Sequence, residues 1–226
     1  MSAVEPGAVI FDLDGVLVDS ESLWDAARRE LAARCGVAWP DGATRAMLGM
    51  SSLEWSRHMR DVVGVPLAPA EISREVVGSL ERRYRREIPL IAGASAAVAR
   101  LGAHWPLGLA SSANRSIIDL VLAAPGLTRH FAATVSAEEV PHGKPAPDVY
   151  LEAARLLGVK ADRCVAVEDS ASGLRAARAA SMAVIAIPNR EFPPDAAAIA
   201  IADAVIDGVA RLDAALVVAA ATNRVR

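Results

Sequence analysis

The stretch Ala8-Val9-Ile10-Phe11-Asp12-Leu13-Asp14-Gly15-Val16-Leu17 constrains this chain more than any other. Four apolar residues run straight into two carboxylates one residue apart, and then a glycine. A short, continuously apolar run is the pattern of a strand buried on both faces, here with acids at its carboxyl end. Open α/β sheets bind ligands just outside the carboxyl ends of their strands. Side chains alternate along a strand, so Asp12 and Asp14 share a face if the extended form persists past Phe11. Gly15 lets the backbone turn once the acids are placed. Two like charges this close repel unless a cation or a shared proton intervenes, which reads as a divalent-metal site or an acid/base pair. The competing reading is that the acids only cap the next helix.

Bulk properties narrow the class. With 226 residues, 53% of them hydrophobic and 23% charged, the chain has the make-up of a globular protein: one large domain, or a core with a smaller insert. A formal net charge of −3 supplies no global field to recruit nucleic acid or an anionic membrane. Cys35 and Cys164 lack metal-site spacing and read as reduced core thiols. Met1 to Gly7 shows no basic segment leading into an apolar one, so no signal peptide is expected. The apolar region from Ala196 to Ala221 is broken by Asp203, Asp207, Arg211 and Asp213, against a membrane span. The expected address is the cytoplasm.

After Leu17 the pattern turns helical for about seventy residues, the size of a small insert. Leu23, Ala27, Leu31 and Cys35 form one stripe, with Asp25, Arg28, Arg29 and Arg34 mostly off it. Trp55, Met59 and Val62 mark a second helix, closed by Gly64 and Pro66; Ile72, Val76 and Leu80 mark a third, between Pro69 and Pro89. From Pro89 the rhythm alternates. Strands are expected at 107–110, 132–135, 164–167, 183–187 and 204–206, and helices at 116–122, 149–157, 173–180 and from Gly208. Such alternation implies a doubly wound, Rossmann-like parallel sheet of the α/β class with helices on both faces. The helical module is then an insertion: residues 18–88 form an all-helical cap domain, and 1–17 with 89–226 form the core.

Three further strand ends carry chemistry. Leu109-Ala110-Ser111-Ser112-Ala113-Asn114 brings hydroxyls to a strand–helix junction, where hydroxyls and backbone N–H groups make an anion pocket or simply cap the helix. His142-Gly143-Lys144-Pro145-Ala146-Pro147-Asp148 places Lys144, one of only two lysines beside Lys160 among 24 basic residues, in a loop stiffened by glycine and proline. A compact ammonium neutralises a phosphate or carboxylate where a flat guanidinium does not fit; a solvated loop lysine is the plain alternative. Cys164-Val165-Ala166-Val167-Glu168-Asp169-Ser170 delivers two more acids, whose oxygens suit a hard cation, unless Asp169 or Ser170 merely caps the next helix.

Taken together, Asp12-x-Asp14, Ser111, Lys144 and Glu168-Asp169 resemble the haloacid dehalogenase superfamily, in its phosphatase and β-phosphoglucomutase-like branch with a helical cap. The resemblance implies a Mg²⁺-dependent phosphatase acting on a small phosphorylated metabolite such as a sugar phosphate. By it, Asp12 is the nucleophile and forms an aspartyl-phosphate. Mg²⁺ is held by Asp12, the Asp14 backbone carbonyl and Asp169, with Glu168 in or just behind the ligand shell. Asp14 is the general acid and base. Ser111 and the Ser112 backbone N–H hold phosphoryl oxygens, and Lys144 bridges the phosphate and Asp12. Glu21, Trp24, Ser51, Ser52 and Asn114 join Ser112 as expected substrate-facing positions, from their places beside the motifs.

Departures from the family pattern sort the alternatives. A sugar phosphomutase reading lacks the histidine its members carry where Trp24 stands, and the arginine near Ser52. Phosphonate cleavage lacks a cap lysine for its Schiff base. True dehalogenases do without Asp14, Glu168 and Asp169. A non-enzymatic phospho-acceptor module is disfavoured by the helical insert and by Asp14 itself. The run Arg82-Arg83-Tyr84-Arg85-Arg86 is read as a solvated helix face, not a nucleic-acid patch. His58, His104, His130 and His142 show no metal-ligand spacing. No nucleic-acid or membrane partner is expected, and the chain is expected to be a monomer or weak homodimer.

Overall fold

The structure is a computed structural model and describes residues 5–127, 129–190 and 192–224. In chain order its elements are β1 (Ala8–Phe11), α1 (Glu21–Arg34), α2 (Ala43–Ala46), α3 (Ser52–His58), α4 (Pro69–Tyr84), α5 (Ala94–Gly102), β2 (Leu107–Ser111), α6 (Arg115–Leu122), β3 (Phe131–Ser136), α7 (Asp148–Leu156), β4 (Cys164–Glu168), α8 (Ala171–Ala179), β5 (Ala183–Ala186), α9 (Ala196–Ala200), β6 (Ala204–Val205) and α10 (Ala214–Arg224). The six strands form one sheet in the order β3-β2-β1-β4-β5-β6, every pairing parallel. The chain builds outward from β1 through β2 to β3, then returns to lay β4 against the other side of β1. That reversal is a topological switch point, and it lies between β1 and β4.

Period-two alternation along the apolar strands feeds two cores. Val9, Phe11, Leu107, Leu109, Val165 and Val167 face one way, against α5, α6 and α10. Ala8, Ile10, Ala110, Cys164 and Ala166 face the other, against α7, α8 and α9. This is the doubly wound sheet expected from the alternation, with helical segments on both faces.

The connection from β1 to β2 carries the inserted helices. Helix α1 packs on α4, and α3 packs on α4. The chain leaves and re-enters the sheet region side by side: Val18 bridges Leu90, Asp19 N–H donates to the Pro89 carbonyl at 2.9 Å, and Ile91 N–H to the Leu17 carbonyl at 2.9 Å. Pro69 opens α4 from its first turn, where its missing N–H costs nothing. At the far end of α4, Arg82, Arg85 and Arg86 are exposed and Arg83 pairs with Glu30 of α1, while Tyr84 is buried. This arginine run is a solvated face with one inter-helix tie.

The structure departs from the sequence reading in four places. The buried stripe of α1 is Trp24, Ala27, Arg28, Leu31 and Ala32, so Arg28, expected off the stripe, is inside. Trp55 and Met59 are buried as expected, but Val62 is 64% exposed and Val63 is 6% exposed. The cause is a π turn over Met59–Val63, whose i→i+5 pattern adds a residue and carries the buried position onward. The last helix begins at Ala214, not Gly208. Val209–Arg211 is a separate 3₁₀ turn, clamped by Arg100, whose Nε donates to the Leu212 carbonyl at 3.0 Å. Helices α2, α5 and α9 had no clear signal in the pattern; each is short and alanine-rich, so the periodicity is carried by too few large residues.

No helix among the described residues is long and apolar enough to cross a membrane. The π turn yields a test: Val62→Lys changes unfolding free energy by less than about 0.5 kcal/mol. Val63→Asn, which buries an amide without a partner, costs about 1–3 kcal/mol. Urea denaturation of the two variants distinguishes this geometry from a regular α-helix.

Candidate active site

Strand β1 ends at Phe11, paired with Val167 of β4, and the Asp12 N–H makes the last bond of that ladder, to the Val167 carbonyl at 2.9 Å. The Asp12 carboxylate thus emerges at the switch point, where β4 delivers Glu168 and Asp169. These three acids are buried, and one carboxylate oxygen from each lies within 4.8 Å of the others. The loop ahead of α7 inserts Lys144 among them, only 3% exposed. Its Nζ donates to Asp12 Oδ1 at 2.7 Å and to Glu168 Oε1 at 2.6 Å. It also lies 5.1 Å from the centre of the Tyr150 ring.

Glu168 is saturated. Oε1 accepts from Lys144 and from the Tyr150 hydroxyl at 3.0 Å; Oε2 accepts from the Asp169 N–H at 2.9 Å, the Ser170 N–H at 3.0 Å and Ser170 Oγ at 3.1 Å. A carboxylate has about four lone-pair sites, so little capacity is left for a cation. Space around it is equally full: a Cβ on Gly173 would stand 1.6 Å from Glu168 Oε1. Capping of α8 falls to Ser170, whose side chain accepts the Gly173 N–H at 3.1 Å. Asp169 is left facing the cavity, with Asn189 Nδ2 donating to its Oδ2 at 3.4 Å. Gly15, at φ +74°, brings its backbone so close that a Cβ would sit 1.8 Å from Asp169 Oδ2.

Asp14 does not continue the strand. The chain turns after Asp12, and the Asp14 carboxylate is held by Ser20 Oγ and by Trp24 Nε1, the latter at 3.2 Å. Both acids line one cavity of about 360 Å³, together with Lys144, Asp169, Ser112, Glu21, Trp24 and residues 48–50. Ser111 is fully buried at the end of β2 and its Oγ accepts the Ala113 N–H at 3.0 Å; it does not line the cavity, whereas Ser112 and Ala113 do. Ser51, Ser52 and Asn114 also lie off the cavity lining. Ser51 pairs with Glu54 at the start of α3. Ser52 Oγ donates to Asn114 Oδ1 at 2.5 Å, and Asn114 Nδ2 donates to Glu138 at 2.6 Å. That chain ties the inserted helices to the core.

The electrostatics follow from burial. One ammonium faces three buried carboxylates, so the cluster is short of positive charge. Burial, and then the charge of Glu168, push Asp12 up to about 8 against the pull of Lys144. Asp14 is raised by burial despite its bonds from Ser20 and Trp24. Asp169 is raised well above the usual range by burial, then by Glu168 and Asp12. Burial pulls Lys144 down, but Asp12 and Glu168 outweigh it and leave it above its ordinary value, hence charged. An all-oxygen donor set with unbalanced negative charge suits a hard divalent cation, and the close Gly15 backbone leaves Asp169 room to serve it.

Tyr150, Asn189 and Arg28 are among the cavity or cluster residues that the sequence reading did not assign to the site. Tyr150 carried a readable signal, since it sits one turn into the helix after the lysine loop. Asn189 follows β5 in a segment without motif or periodicity. Arg28 is four residues from Trp24, which puts both on one helix face.

The sequence profile of the haloacid dehalogenase-like hydrolases matches residues 6–181. The chain is 35% identical over 197 residues to Hexitol phosphatase B of Escherichia coli strain K12, covering 83% of this chain and 86% of that one. It is 31% identical over 177 residues to the Fructose-1-phosphate phosphatase YqaB of the same strain, covering 77% of this chain and 92% of that one. Among solved structures, CbbY from Rhodobacter sphaeroides in complex with xylulose-(1,5)bisphosphate superposes with a TM-score of 0.80 at 29% identity, covering 94% of this chain and 99% of that one.

The raised acids set a pH dependence. An acid with a folded value above its unfolded value near 4 binds its proton more tightly when folded, so its contribution to stability is lost as pH rises through that window. For Asp12 the window runs from about 4 to about 8. In chelator-treated protein the melting temperature therefore falls from about pH 5 to about pH 8, and Asp12→Asn flattens the slope; calorimetry across that range reads both.

Proposed function

The chain belongs to the haloacid dehalogenase-like hydrolases, and from that premise we propose that it is a Mg²⁺-dependent phosphatase that hydrolyses a small sugar or polyol phosphate by way of a phosphoryl group carried on Asp12. The observation that carries this reading is Lys144, held between Asp12 and Glu168 at the switch point of the sheet. An anionic nucleophile attacking a phosphoryl anion needs positive charge fixed beside it, and a buried ammonium on two carboxylates is already positioned.

Asp12 and Asp169, with the Asp14 backbone carbonyl, would hold Mg²⁺, which when bound offsets the charge between the nucleophile and the phosphoryl group. Glu168, its oxygens occupied, orients Lys144 and the Asp169–Ser170 backbone. In the first half-reaction an Asp12 carboxylate oxygen bonds to phosphorus while the ester oxygen leaves. Asp14, whose proton affinity burial raises, gives that oxygen its proton. In the second, water attacks the phosphorus, Asp14 takes its proton, and the Asp12–phosphorus bond breaks to release phosphate. Ser112 and the adjoining backbone, with Ser111 behind them, hold phosphoryl oxygens. Residues 18–88 act as the cap domain over a core of 1–17 and 89–226, and the paired crossings at Val18 and Leu90 are where it joins.

The names of the relatives, for hexitols and fructose 1-phosphate, support the substrate class, and a cavity of about 360 Å³ fits a small metabolite and excludes a macromolecule. A mutase reading is weaker: Trp24 stands where the histidine would be, and its indole N–H is spent on Asp14. Free Cys35 and Cys164 suit a reducing cytoplasm, and a monomer or weak homodimer is the assembly proposed.

With p-nitrophenyl phosphate and Mg²⁺, Asp12→Asn lowers kcat by more than about a thousandfold. Chelation abolishes turnover in the unaltered protein and Mg²⁺ restores it. Equal rates from Asp12→Asn and the unaltered protein, or turnover indifferent to chelation, overturn the reading.

A further inference from the structure

Arg28 carries a buried guanidinium that forms no ion pair with any described residue. It is 4% exposed, lines the same cavity as Asp12 and Lys144, and its Nε and Nη1 have no hydrogen-bond partner. Its guanidinium carbon lies 5.3 Å from the Trp24 ring and 5.1 Å from the Trp55 ring, so two indoles support the cation from the side. The carboxylates within electrostatic reach are Glu21, Asp25 and Asp14. Asp14 is committed to Ser20 and Trp24, and Asp25 to Arg29 and Thr44, each at 2.5 Å. Burial lowers the proton affinity of Arg28 from its ordinary value, yet a guanidinium stays charged in a protein. A desolvated cation kept beside a cavity without a bonded anion is costly unless the cavity's occupant supplies one.

A second arginine points the same way. Arg45 of α2 lines this cavity, is exposed, and forms no ion pair with any described residue. Arg175, also on the wall, is paired with Asp195 at 2.6 Å. Thr44, next to Arg45, is hydrogen-bonded to Arg29 and Asp25 of α1, which ties the two arginine-bearing helices together.

We propose that Arg28, assisted by Arg45, is the subsite for a second anionic group on the substrate, a carboxylate or a further phosphate remote from the ester that is cleaved. The planar guanidinium matches either group through paired N–H bonds. This rests on the phosphatase reading and narrows it, from a small sugar or polyol phosphate to one that carries a second anionic group.

The test is initial-rate kinetics of the full chain with Mg²⁺ on two matched pairs: 3-phosphoglycerate against glycerol 3-phosphate, and fructose 1,6-bisphosphate against fructose 1-phosphate. The quantity read is the ratio of kcat/KM, the substrate with two anionic groups over the one with a single phosphate, which is internal to each preparation and insensitive to partial misfolding. The unaltered protein gives a ratio of at least about tenfold in one pair, and that pair tells carboxylate from phosphate. Arg28→Gln reduces this ratio at least about fivefold, Arg28→Lys restores part of it, and Arg45→Gln reduces it less. A ratio near one in both pairs, or an Arg28→Gln variant that slows both members equally, overturns the subsite. If p-nitrophenyl phosphate is still hydrolysed in that case, the phosphatase reading stands and only the subsite fails. If no ester of any kind is hydrolysed, both fall.

Discussion

One ammonium shared among three buried carboxylates is the interaction on which the site depends. Removing charged groups from water is expensive, and the attraction between Lys144 and its two bonded acids repays it only where geometry and further hydrogen bonds are complete. Glu168 meets that condition with five donors. Asp12 and Asp169 do not, and burial holds both acids above their ordinary values. The imbalance is a property of the fold: β1 and β4 are neighbours, and each delivers acid to one buried spot. A divalent cation and a phosphoryl group are complementary to what remains, one to the surplus charge and the other to the ammonium.

The fold surrounds this centre with supports that are themselves tied down. Tyr150 comes from the helix following the lysine loop and braces both Glu168 and Lys144. Ser170 closes the start of α8 and also bonds Glu168, so capping and site geometry share one hydroxyl. On the opposite wall, Trp24 serves three neighbours: it bonds Asp14, packs 5.9 Å from Trp55, and lies against Arg28. The inserted helices thus reach the acids directly through α1. The Ser52–Asn114–Glu138 chain fastens the same helices to the core from another side.

Arg28 and Val62 show where reading along the chain falls short. A helical stripe places residues by spacing, and charge alone moved Arg28 out of it. Two tryptophans on neighbouring helices make a place for a guanidinium that no single-helix pattern reveals. Val62 lost its expected burial to one π turn, a local change of period that an apolar pattern cannot announce. Ser52 and Asn114 were picked out by proximity to motifs, and the structure joins them to each other off the cavity lining.

The chain's order of residues by itself determined the sheet, its alternation with helices, the insertion after the first strand, and the identity of the four segments bearing acids, hydroxyl and lysine. Those are local properties: apolar runs, periodicity, and the residue types at strand ends. Tertiary structure alone decided that Asp14 turns away to Ser20 and Trp24 and that Glu168 spends its oxygens on donors. It also buried Arg28 and let it line the cavity beside Asp12 and Lys144. Each of these depends on how the backbone turns and on what is packed against it, including Lys144, Tyr150 and Trp55 from distant segments, and that geometry is not a function of spacing along one chain.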